Sequence, residues 1–422
     1  MLDYDDEIDV DRTRMLVKGR ERIRLESLDP ALELVVFPRN GIDVISLRAD
    51  QGGLLGRHAG EVIEVRFPRP LKRHQIVTIA VEYRAVRPKG VEFRPDAIYT
   101  AFETCSWMVC REDPGDKATV RLSIAGAADL VVVASGEPVG GESDGPREQR
   151  RSVWRESTPF SSYLFAFALG KFTRYSERHG ALALEIYAGA GDGDSGHISR
   201  LFKQSEEVAD FFLTKSGQAF PHGRYRQVVV DGDAAQEGSS FSLLGRAELA
   251  SLSSSPERTW IIAHEMAHQF WGNSITCARW ADFWLNEGMA VFMAAAFDER
   301  RWGREAYERD LEAARARYQV AIDAGFDVPL TFEGDYPSLR LKRAVVYSKA
   351  ALFLDMLRTA MGDQAFWAAL KKYSLLHAGG LATTADFERL FESESRTDVS
   401  QLFRDWVYGP KPRVTSVPGK RR

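Results

Sequence analysis

The sequence predicts an α+β protein: an antiparallel β-rich domain over residues 1–190, then a mostly helical domain over 191–422. Three observations carry this. Apolar and polar residues alternate repeatedly before residue 190, a glycine-rich stretch breaks the chain at Gly189–Gly196, and the apolar spacing beyond it is helical.

Taken in order, alternation runs through Ala31–Phe37, Ile76–Tyr83, Lys117–Ile124 and Ala181–Tyr187. Each such run has one face for a core and one for water, as antiparallel sheets require. Turn signals separate them: Asp29-Pro30, Arg39-Asn40-Gly41, Gly52-Gly53 and Gly140-Gly141. Gly189–Gly196 has the composition of a domain boundary. Beyond it, Ile198–Lys215 reads as a helix and Tyr225–Val230 as one more strand. Ser255-Pro256-Glu257 gives a cap, a proline at the first helical position and a first-turn acid, opening a helix to about Phe270. Further helices are expected at 281–301, 345–361, 364–376, 385–391 and 399–407.

Composition bounds the function. A chain of 422 residues should hold about two domains, and 44% hydrophobic with 27% charged residues is ordinary for a soluble globular protein. A net charge of −4 does not suit nucleic acid or an anionic membrane. The acidic run Asp3–Asp11 reads as a solvated face or a frayed end. The N-terminus lacks the apolar core of a signal peptide, and no apolar run reaches the roughly 18 residues of a membrane span. Cys105, Cys110 and Cys277 show no disulfide spacing and read as reduced thiols, so a cytoplasmic location is expected.

The chemistry lies in His264-Glu265-Met266-Ala267-His268. Residues four apart on a helix differ by about 40° around its axis, so both imidazoles reach one metal ion with Glu265 beside it. A structural zinc would be closed by four protein ligands, usually cysteines, whereas a catalytic one keeps a position for water. Cys277 has no partner at ligand spacing. A carboxylate is the better third ligand, and Glu287 in Trp284-Leu285-Asn286-Glu287-Gly288 supplies it. One zinc per chain is therefore expected on His264, His268 and Glu287, with Glu265 as general base.

These residues sit in HEMAHQFWGNSIT (264–276) and RWADFWLNEGMA (279–290), which closely resemble the zinc aminopeptidases of the aminopeptidase N family, a gluzincin group. Cys110-Arg-Glu-Asp-Pro-Gly-Asp-Lys-Ala-Thr is similar to that family's signature near the end of its β-domain. Val346-Tyr347-Ser348-Lys349-Ala350 resembles the segment of its catalytic tyrosine, and Trp406-Val-Tyr-Gly-Pro-Lys-Pro the end of its catalytic domain. The resemblance implies a saddle-like β-domain before a thermolysin-like catalytic domain, Tyr347 stabilising the oxyanion, and peptides with a free N-terminus as substrates. It further implies Glu237 as the anchor of the substrate α-amine and Glu103 as a second acidic contact. Here the departures begin. The family's G-A-M-E-N segment corresponds to Ala234-Ala235-Gln236-Glu237-Gly238, and the acid often found seven residues after the third ligand is replaced by Ala294. The sequence ends where the family's catalytic domain ends, as in a short form without the C-terminal helical domain. The cleft is then expected to be open, or covered by another chain or an oligomer partner. Beside the aminopeptidase stand two alternatives: a zinc endopeptidase with altered N-terminal recognition, and a non-catalytic binding module.

Overall fold

The computed structural model describes residues 1–50, 55–142, 149–192, 195–232, 235–247 and 260–409. Contacts divide the chain into two compact units, Met1–Glu206 with Phe220–Pro256, and Glu207–Ala219 with Glu257–Arg422.

The first unit is β-rich. Its seven-stranded sheet runs in the order Glu137–Glu142, Gln149–Ser161, Lys117–Ala127, Asp3–Asp11, Leu16–Glu26, Ile76–Val86, Ile42–Ala49. Every pairing is antiparallel except Asp3–Asp11 with Lys117–Ala127. Burial alternates along Leu16–Glu26 and Ile76–Val86 as the period-two pattern requires. The acidic run Asp3–Asp11 is a strand inside this sheet rather than a frayed end. Tyr4, Asp6 and Ile8 point into the core, while Asp5, Glu7 and Asp9 lie on the opposite face. A five-stranded sheet continues past the glycine-rich stretch: Phe172–His179, Leu182–Gly189, Arg224–Val230, Phe241–Gly245 and Ala235–Gly238, in that order. Its inner pairings, Leu182–Gly189 with Arg224–Val230 and Arg224–Val230 with Phe241–Gly245, are parallel. Because this sheet spans residue 190, contacts keep the strands on both sides of it in the first unit.

The reading of three free thiols is corrected. Cys105 and Cys110 form a disulfide, while Cys277 is free and buried. The 3-10 turn Thr104–Ser106 folds the chain back and leaves the two Cα atoms 5.1 Å apart, within disulfide reach.

In the second unit the helices are α1 (Ser195–Ser216, which begins in the first unit), α2 (Trp260–Ala267), α3 (Trp284–Trp302), α4 (Arg304–Asp323), α5 (Ala350–Met361), α6 (Asp363–Leu376) and α7 (Thr384–Glu394). The capping signal at Ser255–Glu257 lies outside the described residues. α2 ends at Ala267, three residues before the expected stop, and the chain tightens through Gln269 N–H to Met266 and Phe270 N–H to Ala267. Gly303, with φ +88°, stops α3. The expected helix from 345 starts instead as a π-helical turn, Arg343–Lys349, that feeds α5. α4 is not among the expected elements. Three of the six residues on its buried face (Ala306, Tyr307, Leu311, Ala314, Tyr318, Ala321) are alanines, so its apolar stripe is faint. Trp284 packs edge-on against Phe353 and Phe387, and its Nε1–H donates to Thr384 Oγ1 at 3.0 Å, tying α3 to α5 and α7. No helix of the described residues is long and apolar enough to cross a membrane.

The β unit buries two carboxyls face to face. Asp6 and Glu21 are directly opposite in register and almost fully buried. The Tyr83 hydroxyl donates to Asp6 at 2.5 Å, and the Val109 amide donates to Glu21 at 3.0 Å. Burial pushes both carboxyls up, Asp6 to about 7 against the Tyr83 hydrogen bond and with the charges of Asp5, Glu7 and Asp9, and Glu21 further through the Asp6 charge. A carboxyl whose folded pKa is raised takes stability away as pH climbs from the unfolded value of about 4 toward neutrality. Thermal unfolding from pH 5 to pH 8 is expected to show falling Tm, and Glu21→Gln to flatten that fall. An unchanged slope in the variant would contradict the raising of the buried Glu21 carboxyl.

Candidate metal centre

α2 carries His264 and His268 four residues apart. Although the helix formally ends at Ala267, the His268 amide still bonds the His264 carbonyl at 3.3 Å, so both rings leave on one side. α3 packs against α2 and presents Glu287 from its first turn. Its start is pinned by Asn286, whose Oδ1 accepts the Cys277 amide at 3.1 Å. The three side chains converge: His268 Nε2 lies 3.2 Å from His264 Nε2, and Glu287 Oε2 lies 3.4 and 3.6 Å from the two rings. They are also the group of described residues whose ligand atoms suit a metal ion.

The residues fit zinc. Two ligand atoms about 2.05 Å from a tetrahedral ion stand about 3.3 Å apart, which matches the observed triangle. Glu287 Oε2, which faces both rings, is buried with no hydrogen-bond donor among the described residues, and leaving a carboxylate so placed is costly unless a cation faces it. The ligand set of two imidazoles, one carboxylate and no cysteine is that of a catalytic zinc.

Sequence reading gave no support for the histidine rings once Ala294 replaced the expected acid. The structure supplies it for His268 from the main chain. The Trp271 carbonyl lies 3.2 Å from His268 Nδ1, so Nδ1 is assigned the proton and the Nε2 lone pair faces the ligand cluster. Two glycines of the motifs have steric roles. A Cβ on Gly272 (φ +136°) would stand 2.9 Å from His268 Nδ1, and one on Gly288 would stand 2.2 Å from the Ala350 Cβ. Gly288 thus lets α3 approach the start of α5, which carries the π-turn with Tyr347 to the site. The Tyr347 ring lies nearly parallel to the His264 ring with centroids 6.3 Å apart, and Trp260 stacks on His264 at 4.6 Å. Glu265 is buried on the same helix. Lys349, fully buried two residues after Tyr347, bonds Asp327 at 2.9 Å and the Val328 carbonyl at 2.6 Å and anchors the turn.

Glu237 and Glu103 belong to the first unit. Glu237 is buried on the strand Ala235–Gly238, and its Oε2 accepts from Gln236 Nε2 at 2.8 Å. The same amide accepts the Phe102 N–H through Oε1 at 2.8 Å. Gln236, one of the departures from the family segment, therefore links the Glu237 strand to the left-handed Phe102–Glu103 turn, on which Glu103 is exposed. Ala234 lies outside the described residues.

Burial, the largest influence, holds the His264 imidazole down at about 4; at Glu287 burial works upward, but the His268 charge and the contacts with both rings outweigh it and hold the carboxyl well below its usual range. In the metal-free protein the unfolded chain takes up a proton at about 6.5 that the folded His264 refuses. Stability is therefore lost as pH falls from about 6.5 to about 4, and Glu287 adds to the loss below about 4.5. Tm of the chelated protein should decline over this range, and zinc retention, read by elemental analysis, should decline with it. A flat Tm would contradict the burial of neutral His264. Gly288→Ala should lower stability by about 1–3 kcal/mol by overpacking, read as a fall in Tm.

Residues 236–406 match the model of the peptidase family M1 domain. The probable aminopeptidase 2 of Sulfurisphaera tokodaii is 23% identical over 428 residues, covering 96% of this chain and 53% of that protein. Human aminopeptidase N is 28% identical over 286 residues, covering 63% of this chain and 29% of that protein. The chain thus spans about half the length of the archaeal relative and about a third of the human one. A crystal structure of an M1 zinc metallopeptidase from Deinococcus radiodurans superposes with a TM-score of 0.79 at 20% identity, over 99% of this chain and 95% of that one, and so shares the fold. The matched residues 236–406 contain the His264, His268 and Glu287 cluster, so the part of this chain that carries the cluster is similar to the peptidase family M1 domain.

Proposed function

We propose that this chain is a zinc-dependent aminopeptidase that removes the N-terminal residue of peptides, with residues 191–422 as its catalytic domain and 1–190 as the β-domain before it. The observation that carries this reading is the buried triangle of His264, His268 and Glu287 with Glu265 on the same helix and Tyr347 beside His264. The relatives support the substrate class. Both curated relatives bear the name aminopeptidase, and the Deinococcus radiodurans protein of the same fold is described bound to the peptide Tyr-Ser-Ala.

On this reading His264, His268 and Glu287 hold the zinc, which when bound supplies a Lewis acid that makes water acidic enough to attack at neutral pH. Glu265 takes the proton from the attacking water and returns it to the leaving amine. Burial keeps that carboxylate away from bulk water. The Tyr347 hydroxyl donates to the oxygen that becomes negative when the carbonyl is attacked. Glu237, oriented by Gln236, accepts the substrate α-ammonium, and Glu103 adds a second acidic contact.

Replacing Glu265 by Gln should lower kcat by roughly a hundred- to ten-thousand-fold while zinc stays bound at one per chain. Tyr347→Phe should cost about a hundred- to a thousand-fold in kcat. A Glu265→Gln variant with full activity would sink the mechanism. Substrate class is tested with aminoacyl-aminomethylcoumarins and their N-acetylated forms. Chelator-sensitive cleavage of only the free-amine compounds is the expected result. The altered segment around Gln236 favours a second reading, an endopeptidase, and equal cleavage of acetylated and free peptides would establish it. A folded protein that purifies without metal and takes up none would instead indicate a binding module.

A further inference from the structure

Between α4 and the chain that leads into the Tyr347 turn lies a groove of about 390 Å³. Arg317 and Val320 line it from α4, Leu339 and Arg340 from the one-turn helix Leu339–Lys342, and Arg343 from the start of the π-turn. All three arginines are exposed, and among the described residues none of them pairs with a carboxylate. Their neighbours behave differently. Arg315 pairs with Glu308 and Glu312, Arg304 with Glu299 and Glu308, and Arg358 with Glu299 and Asp363. Asp310 is close enough for Arg317 to feel its charge but makes no ion pair with it; it engages Asp298, and its Oδ2 has no hydrogen-bond partner among the described residues. Arg317 gives only its Nε–H to a partner, Ser348 Oγ at 3.2 Å, which leaves the fork of its guanidinium for another acceptor. Three guanidinium groups lining one groove repel one another, and a planar anion that accepts two parallel N–H bonds is the ligand such a fork matches.

The groove adjoins the proposed active site. Arg343 precedes Tyr347 by four residues on the same turn, Ser348 follows it, and the Arg317 charge is felt at the His264 ring. One helical turn is about 5.4 Å and an extended peptide advances about 3.3 Å per residue, so a peptide whose carbonyl meets Tyr347 reaches Arg343 in about two residues. Val320 and the exposed Leu339 add an apolar wall for the side chain carried there.

We infer that Arg317, Arg340 and Arg343 bind a carboxylate of the peptide substrate two or three residues from the scissile bond, and so direct the enzyme toward short or acidic peptides. The inference rests on the peptidase reading above. The carboxylate comes either from the peptide's C-terminus or from an Asp or Glu side chain, and the experiment separates the two.

Three peptides suffice: Leu-Gly-Gly as the free acid, Leu-Gly-Gly-amide, and Leu-Gly-Glu-amide. Their kcat/KM values are measured with wild-type enzyme and with the double variant Arg340→Gln, Arg343→Gln, and their Kd values by calorimetry on zinc-loaded Glu265→Gln protein. The free acid should exceed the plain amide by about tenfold in both readouts, and high salt and the double variant should each shrink that ratio toward one. The charge-retaining pair Arg340→Lys, Arg343→Lys should restore part of it. If Leu-Gly-Glu-amide matches the free acid, any carboxylate serves; if it matches the plain amide, the C-terminus alone is read. Equal Kd for all three peptides overturns the inference. Should the protein cleave none of them, the peptidase reading falls, and the calorimetric ratio still decides whether the groove holds a carboxylate.

Discussion

Glu287 is buried between two imidazole nitrogens, and its inner oxygen has no donor among the described residues. The surrounding arrangement in the second unit follows from that constraint. A lone buried carboxylate is tolerated when its charge is met, and two neutral imidazoles meet it poorly, whereas a divalent cation at the centre of the triangle meets it fully. Burial keeps the His264 ring neutral, and the Trp271 carbonyl sets which nitrogen of His268 carries its proton. Bringing α3 and the Tyr347 turn close enough is the work of Gly288, which opposes Ala350 with no side chain of its own. The motif residues are therefore of two kinds: those that would touch the metal, and those that are small or hydrogen-bonded so that the others can.

Period-two alternation located strands such as Ile76–Val86 and Lys117–Ala127 because each has one wet face, and the histidine spacing located the ligands because a helix turns by a fixed angle. What was hidden shares a physical cause. The support of His268 is a backbone carbonyl, which leaves no mark in side-chain identity. α4 buries alanines, whose small side chains carry little periodic contrast. The Cys105–Cys110 bridge depends on a tight turn that two cysteines five apart do not announce. Asp6 looked like one acid among several on a solvated run, and only the register that sets it against Glu21 makes it a buried group. The Cys105–Cys110 and His268–Trp271 contacts are local and still leave no side-chain pattern, whereas Asp6 and the buried face of α4 are decided by neighbours distant in sequence.

Gln236 illustrates how a departure from a familiar pattern can preserve its purpose. Where the resembling segment has methionine, this chain has an amide that spans two partners. It donates to Glu237 and accepts from the Phe102 backbone next to Glu103. Methionine would fill the same volume without either bond. A buried carboxylate that is held by a directional donor keeps one orientation, so in the role proposed for Glu237 its own ordering is already in place before any ammonium binds. The amide also couples the two acidic positions that the resemblance singles out, within one unit.

The π-turn at Arg343–Lys349 concentrates several of these demands in seven residues. A π-turn inserts one extra residue per turn and so displaces side chains from the faces an α-helix would give them. Tyr347 is thereby brought alongside His264 while Arg343 faces the cationic groove and Lys349 turns inward to Asp327 and Val328. The buried Lys349 ion pair carries a desolvation cost that a hydrophobic residue would avoid. Its compensation is directional, since it fixes the end of the turn against the chain that follows α4. One short irregular segment thus joins the metal site, the proposed oxyanion donor and the arginine groove, and any shift in its register would disturb all three together.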